Sequence, residues 1–313
     1  MLSYLTGRLL ALIPVLLVVA VVVFLLVRST PGDPARVLAG EDATPEQIKM
    51  LRRDMGLEGP LPTQFAVWMT RAVRGDLGRS LFNRFPVRRI IGQHVGPTVM
   101  LSAMAVTVAL CIGIPMGVVS AVYRNSWWDQ AGLALAMLGA AVPTFWLGLS
   151  LIIVFAVNLG WLPSSGFRPP TEDIRRSLTY MLLPALTLGV PNSALIIRFV
   201  RSSLLDVIAT DYVRTARAKG LGERLVIFRH ALRNALVPIL TVVGLTFAAL
   251  MGGAVVTETV FAIPGMGQLV VQSVLRRDYP VIQGVTLVVA TSYVLINLIV
   301  DLLYFLVDPR VKY

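Results

Sequence analysis

The chain contains six long runs that are almost free of charged residues. They cover residues 9–27, 99–123, 131–161, 178–197, 235–257 and 279–300, and an apolar tail extends the last run to residue 307. A bilayer core about 30 Å thick takes roughly 20 helical residues to cross at about 1.5 Å per residue. Transmembrane β-strands would alternate over about ten residues, and these runs do not. The pattern predicts an all-α membrane protein with six transmembrane helices.

The composition agrees with a membrane protein and excludes an ordinary soluble enzyme. Of 313 residues, 56% are hydrophobic and only 14% are charged, against about 25% charged in an average globular protein. A chain this apolar is also not a disordered one. The net charge of +11 could indicate nucleic-acid binding. The arginines, however, lie between apolar runs without interleaved aromatic residues, so we expect no nucleic-acid partner.

The positive charges in the loops predict the orientation. With the amino terminus in the cytoplasm, 12 Lys and Arg residues lie inside and 16 lie outside. Eleven of the outer ones fall in residues 28–96, a segment long enough to cross the membrane largely regardless of its charge. Without that segment the balance is 12 inside against 5 outside. Both termini are therefore expected to be cytoplasmic.

The loop between the first two runs is long enough to fold. Its segment Thr44-Pro45-Glu46-Gln47 predicts a helix start, because threonine caps, proline suits the first turn and glutamine completes a capping box. Gly56 is expected to end that helix. A second helix is predicted over residues 63–74, with Phe65 and Trp68 on one side. The two helices would make a small outer cap.

Two interpretations of the cap stay open. Its apolar faces pack onto the membrane helices, or they form a docking surface for a soluble partner. The candidate docking residues are Gln47, Arg52, Phe65 and Trp68.

Several kinds of catalytic chemistry have no candidate residues. The chain lacks the G-x-x-x-x-G-K-[ST] phosphate loop of ATP-hydrolysing pumps, in which backbone amides and a lysine hold the phosphates. It also lacks the H-E-x-x-H and G-x-S-x-G patterns of zinc proteases and serine hydrolases. Cys111 is the single cysteine, so neither a disulfide framework nor a cysteine metal site is possible. The sequence predicts no enzyme activity, no cofactor and no metal site.

The second long loop, residues 198–234, is basic and predicted to be cytoplasmic. It indicates a short helix ended by Gly220, a turn through Gly222, and then a second helix with one side formed by Leu225, Phe228 and Leu232. The first helix could lie in a groove of another protein, because it carries the small residues Thr215, Ala216 and Ala218. The alternative is that the loop only determines topology.

One segment of this loop resembles a known signature. Tyr-Val-Arg-Thr-Ala-Arg-Ala-Lys-Gly-Leu, residues 212–221, is similar to the E-A-A-x-x-x-G loop of binding-protein-dependent ABC importer permeases. Arg214, Thr215 and Ala216 stand at the E-A-A positions, and Gly220 stands at the glycine. The chain departs from the general pattern at Arg214, where the pattern has glutamate, and at Arg233, where it has proline.

The departures resemble the dipeptide, oligopeptide and nickel branch of that superfamily, and its first (B-type) membrane subunit. Further motifs of that branch follow in order along the chain. They are Pro31-Gly32-Asp33-Pro34, Gly75-Asp76-Leu77-Gly78, Pro97-Thr98, Pro143-Thr144-Phe145, Thr257-Glu258 with Phe261, Pro264-Gly265-Met266-Gly267 and Asp308-Pro309-Arg310.

The resemblance implies a type I ABC importer permease fold in a bacterial cytoplasmic (inner) membrane. Such a subunit pairs with a second homologous permease, binds two ATP-binding subunits and receives its cargo from an extracytoplasmic solute-binding protein. ATP and Mg would be bound by the partner ATPase subunits, and membrane lipid would surround the spans. A channel is less expected, because it needs no loop facing an ATPase.

The spans, the loops and the resemblance together divide the chain. Residues 1–30 would be the N-terminal transmembrane helix, 31–96 the extracytoplasmic cap, and 97–307 a five-helix translocation core. This core contains a cytoplasmic coupling loop at 206–234. Residues 308–313 would be a cytoplasmic tail.

The resemblance also suggests roles for individual residues. The expected ATPase-coupling loop comprises Arg214, Thr215, Ala216, Arg217, Ala218, Lys219, Gly220, Leu221, Gly222 and Glu223. The expected translocation path or gate includes Pro143, Phe145, Trp146, Asn192 and Glu258. Glu258 could meet the amino group of a peptide, or it could have a structural partner in the outer gate.

The expected cargo is a peptide, either a dipeptide or an oligopeptide. A nickel chelate, glutathione or another small solute is the alternative for the same importer type. A secondary transporter is the alternative from a different class, but it would place ionisable residues near the middle of its spans. The centres of these runs are nearly bare of such residues, which counts against that class.

Overall fold

The computed structural model describes residues 2–29, 34–40, 43–54 and 56–307, and these form helices joined by loops. The α-helices of these ranges are α1 (Leu2–Ser29), α2 (Pro34–Ala39), α3 (Pro45–Asp54), α4 (Leu61–Val73), α5 (Val87–Val122), α6 (Trp127–Ala141), α7 (Thr144–Leu151), α8 (Ile174–Ile208), α9 (Asp211–Ala218), α10 (Glu223–Leu225), α11 (Leu232–Gly253), α12 (Val255–Val260), α13 (Met266–Leu275) and α14 (Tyr279–Val307). Two π-helical segments, Ile152–Asn158 and Val226–Ala231, follow α7 and α10.

Several of these helices can cross a membrane. In the part of the chain that the structure describes, α5, α8 and Tyr279–Leu303 of α14 are long and apolar enough. If each of two bent helix pairs is counted as one span, the described residues contain up to five candidate spans. Leu10–Leu26 of α1 is a shorter apolar helix. The prediction of an all-helical membrane protein is confirmed. The count of six spans stays a prediction.

The third predicted span is not one continuous helix. Trp127–Ala141 and Thr144–Asn158 meet at an angle of 96°. Val142, between them, is extended, with φ −75° and ψ 125°. Pro143 explains the break, because proline disfavours a helical residue before it and has no N–H for the ladder. The apolar run over residues 131–161 is therefore two helices joined by a sharp bend, and its crossing as a single span stays a prediction.

The chain divides into two compact units. Unit 1 comprises Met1–Gly96 and Gly265–Val294, and unit 2 comprises Pro97–Pro264 and Leu295–Tyr313. By packing, residues 265–294 thus belong with the amino-terminal part of the chain. The predicted cap, core and tail are functional divisions and stay predictions.

In unit 1, α4 packs against the end of α1 through aromatic rings. Phe24 of α1 is buried, and its ring centroid lies 5.3 Å from that of Phe65 and 5.8 Å from that of Trp68. The guanidinium carbon of Arg28 lies 3.8 Å from the Phe24 ring centroid. Arg28 Nε also donates to Gln64 Oε1 at 2.9 Å. These contacts fix a helix of the cap to the first apolar helix.

The capping box predicted at the start of α3 is confirmed. The backbone N–H of Gln47 donates to Thr44 Oγ1 at 3.3 Å, and the backbone N–H of Thr44 donates to Gln47 Oε1 at 3.0 Å. Gly56 follows the helix with φ +66°, which suits its predicted role as a stop. Of the predicted motif at residues 31–34, residues 31–33 lie outside the described residues. The predicted motif at residues 308–310 and the predicted tail 308–313 lie wholly outside them.

A short hairpin before α5 is held by a buried carboxylate, also within unit 1. The Ser80 hydroxyl donates to Asp278, and the backbone N–H of Leu81 donates to Asp278 Oδ1 at 3.0 Å. Beside it lies an apolar cluster formed by Val87, Ile90, Ile91, Met266, Leu269, Val281 and Val285.

Helix α8 is the central helix of unit 2, where it packs against α6, α7, α11 and α12. Its approach to α5 is close because α5 carries two glycines four residues apart. A methyl group on Gly113 would lie 2.6 Å from Ile196 Cγ2, and one on Gly117 would lie 2.6 Å from Val200 Cβ. Small residues at this spacing let membrane helices touch through their backbones.

Candidate functional site

The loop singled out by the sequence folds as a compact elbow, which we define as residues 209–234. After α8 ends at Ile208, the chain turns through Ala209 and Thr210 into α9. It then passes Gly220 and Gly222 and continues as α10, the π-helix Val226–Ala231 and α11. The elbow therefore connects two long apolar helices, α8 and α11, through one short exposed helix.

The end of α9 is closed by a Schellman motif. The N–H of Gly220 donates to the carbonyl of Arg217 at 2.9 Å, and the N–H of Leu221 donates to the carbonyl of Ala216 at 3.4 Å. Gly220 has φ +76°, the left-handed conformation that this motif requires. Leu221 also packs against the apolar cluster that contains Ala216. The predicted helix stop at Gly220 is confirmed.

The elbow has an apolar core of its own. Val213, Ala216 and Val226 are buried against one another, with Val207 and Leu221 packed around them. We call α9 the first arm of the elbow and residues 223–234 its second arm. The sequence grouped Ala216 with the small residues that face another protein. That part of the prediction is wrong, because Ala216 is only 7% exposed and lies against the second arm.

The second arm also differs from the prediction. Leu225, Phe228 and Leu232 were expected to share one side of an α-helix. The π-helix changes the register, and the residues buried there are Val226, Ile227 and Ala231. Leu225 is 42% exposed and Phe228 is 60% exposed.

Polar contacts fasten the two arms of the elbow together. Arg217 donates twice to the Glu223 carboxylate, from Nε at 3.1 Å and from Nη2 at 2.6 Å. Asn234 Nδ2 donates to the Tyr212 hydroxyl at 2.7 Å, and that hydroxyl donates to the carbonyl of His230 at 3.3 Å. α9 is thus held at its start by Tyr212 and beyond its end by Glu223.

The Arg217–Glu223 fork lies in the loop, outside the apolar runs. Its hydrogen bonds lower the pKa of Glu223 and raise the pKa of Arg217, because each group stabilises the charged form of the other. Both side chains are partly exposed, at 39% and 54%. The fork therefore orients the arms more than it adds stability.

The outer face of the elbow is basic and partly apolar. Its exposed side chains include Tyr212, Arg214, Thr215, Ala218, Lys219, Arg224, Leu225 and Phe228. Such a face suits a partner with an acidic, partly apolar groove.

The predicted gate residues do not share one polar site. Phe145 and Trp146 are 51% and 56% exposed, and Asn192 Nδ2 donates to the carbonyl of Leu188 in its own helix at 2.8 Å. Glu258 is fully buried and accepts a hydrogen bond from the Thr98 hydroxyl at 2.6 Å. The contact favours the structural interpretation of Glu258 over direct contact with cargo.

The predicted docking residues of the cap fall into two groups. Phe65 and Trp68 pack on Phe24, as the packing interpretation of the cap expects. Gln47 and Arg52 lie on the exposed surface of α3. A docking role thus has its best remaining candidates on α3.

Sequence reasoning missed a buried ion pair in unit 2. Arg201 Nε donates to Asp129 Oδ1 at 2.7 Å, and its Nη2 donates to Asp129 Oδ2 at 2.8 Å. Only one half of the pair left a signal in the sequence. Ser126 caps α6 three residues before Asp129, and Asp129 is a carboxylate at the start of an otherwise apolar run. The partner on α8 is 72 residues away and leaves no such signal.

Comparison with known protein families gives two matches. The family described as "Binding-protein-dependent transport system inner membrane component" matches residues 113–313. The family of N-terminal parts of binding-protein-dependent transport system membrane components matches residues 1–81.

Curated relatives match over the whole length. The glutathione transport system permease protein GsiC of Pectobacterium atrosepticum is 46% identical over 313 residues, which is 100% of each chain. The GsiC protein of Salmonella typhi is 45% identical over the same full length. The probable peptide ABC transporter permease protein y4tP of Sinorhizobium fredii is 43% identical over 99% of each chain.

A solved structure supports the fold. An inward-facing conformation of the MetNI methionine ABC transporter contains a chain that aligns with a TM-score of 0.59. The alignment covers 70% of this chain and 96% of that one, at 22% sequence identity. A likeness at this identity bears on the fold alone.

Proposed function

The chain belongs to the binding-protein-dependent transport system inner membrane components, and from that premise we propose how it works within an ATP-driven importer. It is a multi-pass inner membrane permease subunit of an ABC transporter and not itself an enzyme. In our proposal it has six spans with both termini in the cytoplasm. It pairs with a second homologous permease, two ATP-binding subunits and an extracytoplasmic solute-binding protein.

We propose glutathione, or a peptide of similar size, as the cargo. The observation that carries this choice is the 46% identity, over the full length of both chains, with a glutathione transport system permease. A probable peptide permease at 43% identity supports the wider class of small peptides. The glutathione alternative is thus better supported than the dipeptide or oligopeptide cargo that the sequence motifs suggested.

We propose that the elbow is the segment that binds the ATPase. Three features support this role: α9 is exposed, it is joined without a long linker to α8, and its outer face carries basic and apolar side chains. The Schellman motif and the buried cluster around Val213 hold α9 rigidly to both neighbouring helices. A rigid connection is what a force-transmitting segment requires.

Cargo choice can be tested in proteoliposomes that contain the full complex. We would supply the loaded solute-binding protein on one side and ATP on the other, and measure uptake of radiolabelled glutathione, a dipeptide and a pentapeptide. We expect ATP-dependent uptake of glutathione, with ADP as the control. Uptake of the dipeptide or the pentapeptide without glutathione would refute glutathione as the cargo but leave the importer role. No ATP-dependent uptake of any solute, in complexes that assemble fully, would refute both.

A further inference from the structure

We infer that Asp129 and Arg201 form a positioning pair for energy coupling, which clamps the inner end of α8 to the start of α6. The inference rests on the proposed role of the elbow in binding the ATPase. It adds a route by which movement of the elbow reaches α6 as well as α8 and α11.

The position of Arg201 along α8 places it close to the elbow. Arg201 precedes the last residue of α8, Ile208, by about two helical turns, or roughly 10 Å of helix. No break in α8 separates the two positions. A displacement of α9 that tilts α8 therefore acts directly on Arg201.

The Asp129 carboxylate is fully engaged. Besides the two bonds from Arg201, the backbone N–H of Asn125 donates to Asp129 Oδ2 at 3.0 Å. Asn125 has φ +63°, so this carboxylate also supports a tight turn between α5 and α6. The Asp129 side chain is 4% exposed and the Arg201 side chain is 22% exposed. A single carboxylate thus joins the turn, α6 and α8.

The pair also ends a line of close contacts between α6 and α8. Further along the two antiparallel helices, Ala136 packs against Ala194 and Ile197. The small side chains of Ala136 and Ala194 let the helix axes approach closely, but these apolar contacts contain no directional bond. The two parallel bonds of an Arg–carboxylate fork fix both distance and direction, so the fork is the contact that resists sliding.

Two tryptophans give the clamped turn an anchor of its own. Trp127 and Trp128 are 64% and 49% exposed, and their ring centroids lie 3.8 Å apart. Exposed aromatic pairs at the end of an apolar helix are typical of the membrane–water interface. The fork therefore connects α8 to a point that the bilayer surface holds in place.

A buried ion pair often adds little stability over apolar residues of similar volume. This property allows a test that separates positioning from folding. We would reconstitute three variants in the full complex: Arg201→Lys, which keeps the charge but loses the fork; Asp129→Asn; and the double variant Asp129→Leu/Arg201→Met, which fills the site without charges. Arg168→Gln, which breaks an exposed ion pair to Glu172, is the matched control.

The readout is the number of solute molecules taken up per ATP hydrolysed, measured per assembled complex. We expect this ratio to fall about tenfold in Arg201→Lys and in the double variant, a size within the usual range of coupling between sites. Assembly of the double variant and the ratio in the control should match the wild type. These results together would support a positioning role.

Three outcomes would overturn the inference. In the first, the double variant assembles and retains the wild-type ratio, and in the second, Arg201→Lys assembles and retains it. In the third, none of the three variants assembles, which would make the pair a folding element only. The proposed function fails by a different result, namely a wild-type complex whose ATP hydrolysis does not respond to loaded solute-binding protein. Variants with normal ratios beside a responsive wild type would leave the proposed function intact.

Discussion

Replacing Gly220 by valine should uncouple ATP hydrolysis from uptake without removing the protein from the membrane. Gly220 has φ +76° and closes the Schellman motif of α9. A residue with a Cβ loses about 1–2 kcal/mol in this left-handed conformation, and a β-branched one is a clear outlier there. Apart from the two adjoining residues, no heavy atom lies within 4 Å of a Cβ built on Gly220. The Cβ itself therefore meets no crowding, and backbone strain is the penalty that we expect from the substitution.

A penalty of this size lowers the fraction of molecules in which the elbow has its native conformation, but it does not prevent the rest of the chain from folding. It shifts a local equilibrium by a factor of about 5–30, whereas insertion of the apolar helices does not depend on the conformation of one loop residue. We expect normal membrane levels of Gly220→Val with reduced uptake and a weakened response of hydrolysis to loaded solute-binding protein. Gly220→Asn should be milder, because asparagine visits the left-handed region more readily.

Gly222 provides the matched control, two residues further along the same exposed turn. It has φ −61° and ψ 143°, a conformation that valine adopts freely, and a Cβ there also meets nothing within 4 Å. Gly222→Val should retain coupling. Equal loss in both variants would show that side-chain bulk rather than backbone strain matters. Full activity in both would refute the coupling role of the elbow.

Four further predictions can be checked independently. Hydrogen bonds from Arg217 lower the pKa of Glu223 below its ordinary value of 4.5. The stabilisation from the fork is therefore fully present above pH 4.5 and is lost as the pH falls through the lowered pKa. The protection factors for hydrogen exchange in the elbow, which are corrected for the intrinsic pH dependence of exchange, should therefore be constant from about pH 6 to 8, and their decrease in acid should be smaller in Glu223→Gln. Thr98→Val removes a hydrogen-bond donor to buried Glu258 and should lower the free energy of unfolding of the purified chain by about 1–3 kcal/mol. This loss should appear as a lower melting temperature, and an unchanged melting temperature would contradict it. The purified chain alone should hydrolyse no ATP, and sustained turnover by it would contradict the permease assignment. Photo-crosslinkers at Gln47 or Arg52 should trap the solute-binding protein, and their failure in a transporting complex would leave the cap a purely structural element.

The sequence predicts those features whose causes are local. The apolar runs, the capping box at Thr44 and the left-handed glycine at Gly220 each follow from residues within a few positions of one another. The break at Pro143 is also local, but the uninterrupted apolar composition around it favours one continuous helix, so the sharp bend was not predicted.

Contacts between distant segments could not be predicted in the same way. Phe65 and Trp68 are compatible with either an exposed or a packed surface until Phe24, some 40 residues earlier, is known to lie beside them. The same holds for Asp129 and Arg201. The π-helix at Val226–Ala231 inserts a register shift that no period of 3.6 residues can anticipate, and for that reason the exposure of Phe228 was missed.

The internal packing of the elbow bears on how it would bind a partner. Val213, Ala216 and Val226 are buried by contacts within the chain, and the Arg217–Glu223 and Tyr212–Asn234 bonds also lie within it. The elbow is therefore formed before any partner binds, so no loop has to be ordered on association, and that cost does not reduce the affinity. The side chains left exposed, among them Phe228 and Leu225, are then available for the interface itself. A preformed segment of this kind transmits displacement instead of absorbing it, which is why a small strain at Gly220 is expected to affect transport more than folding.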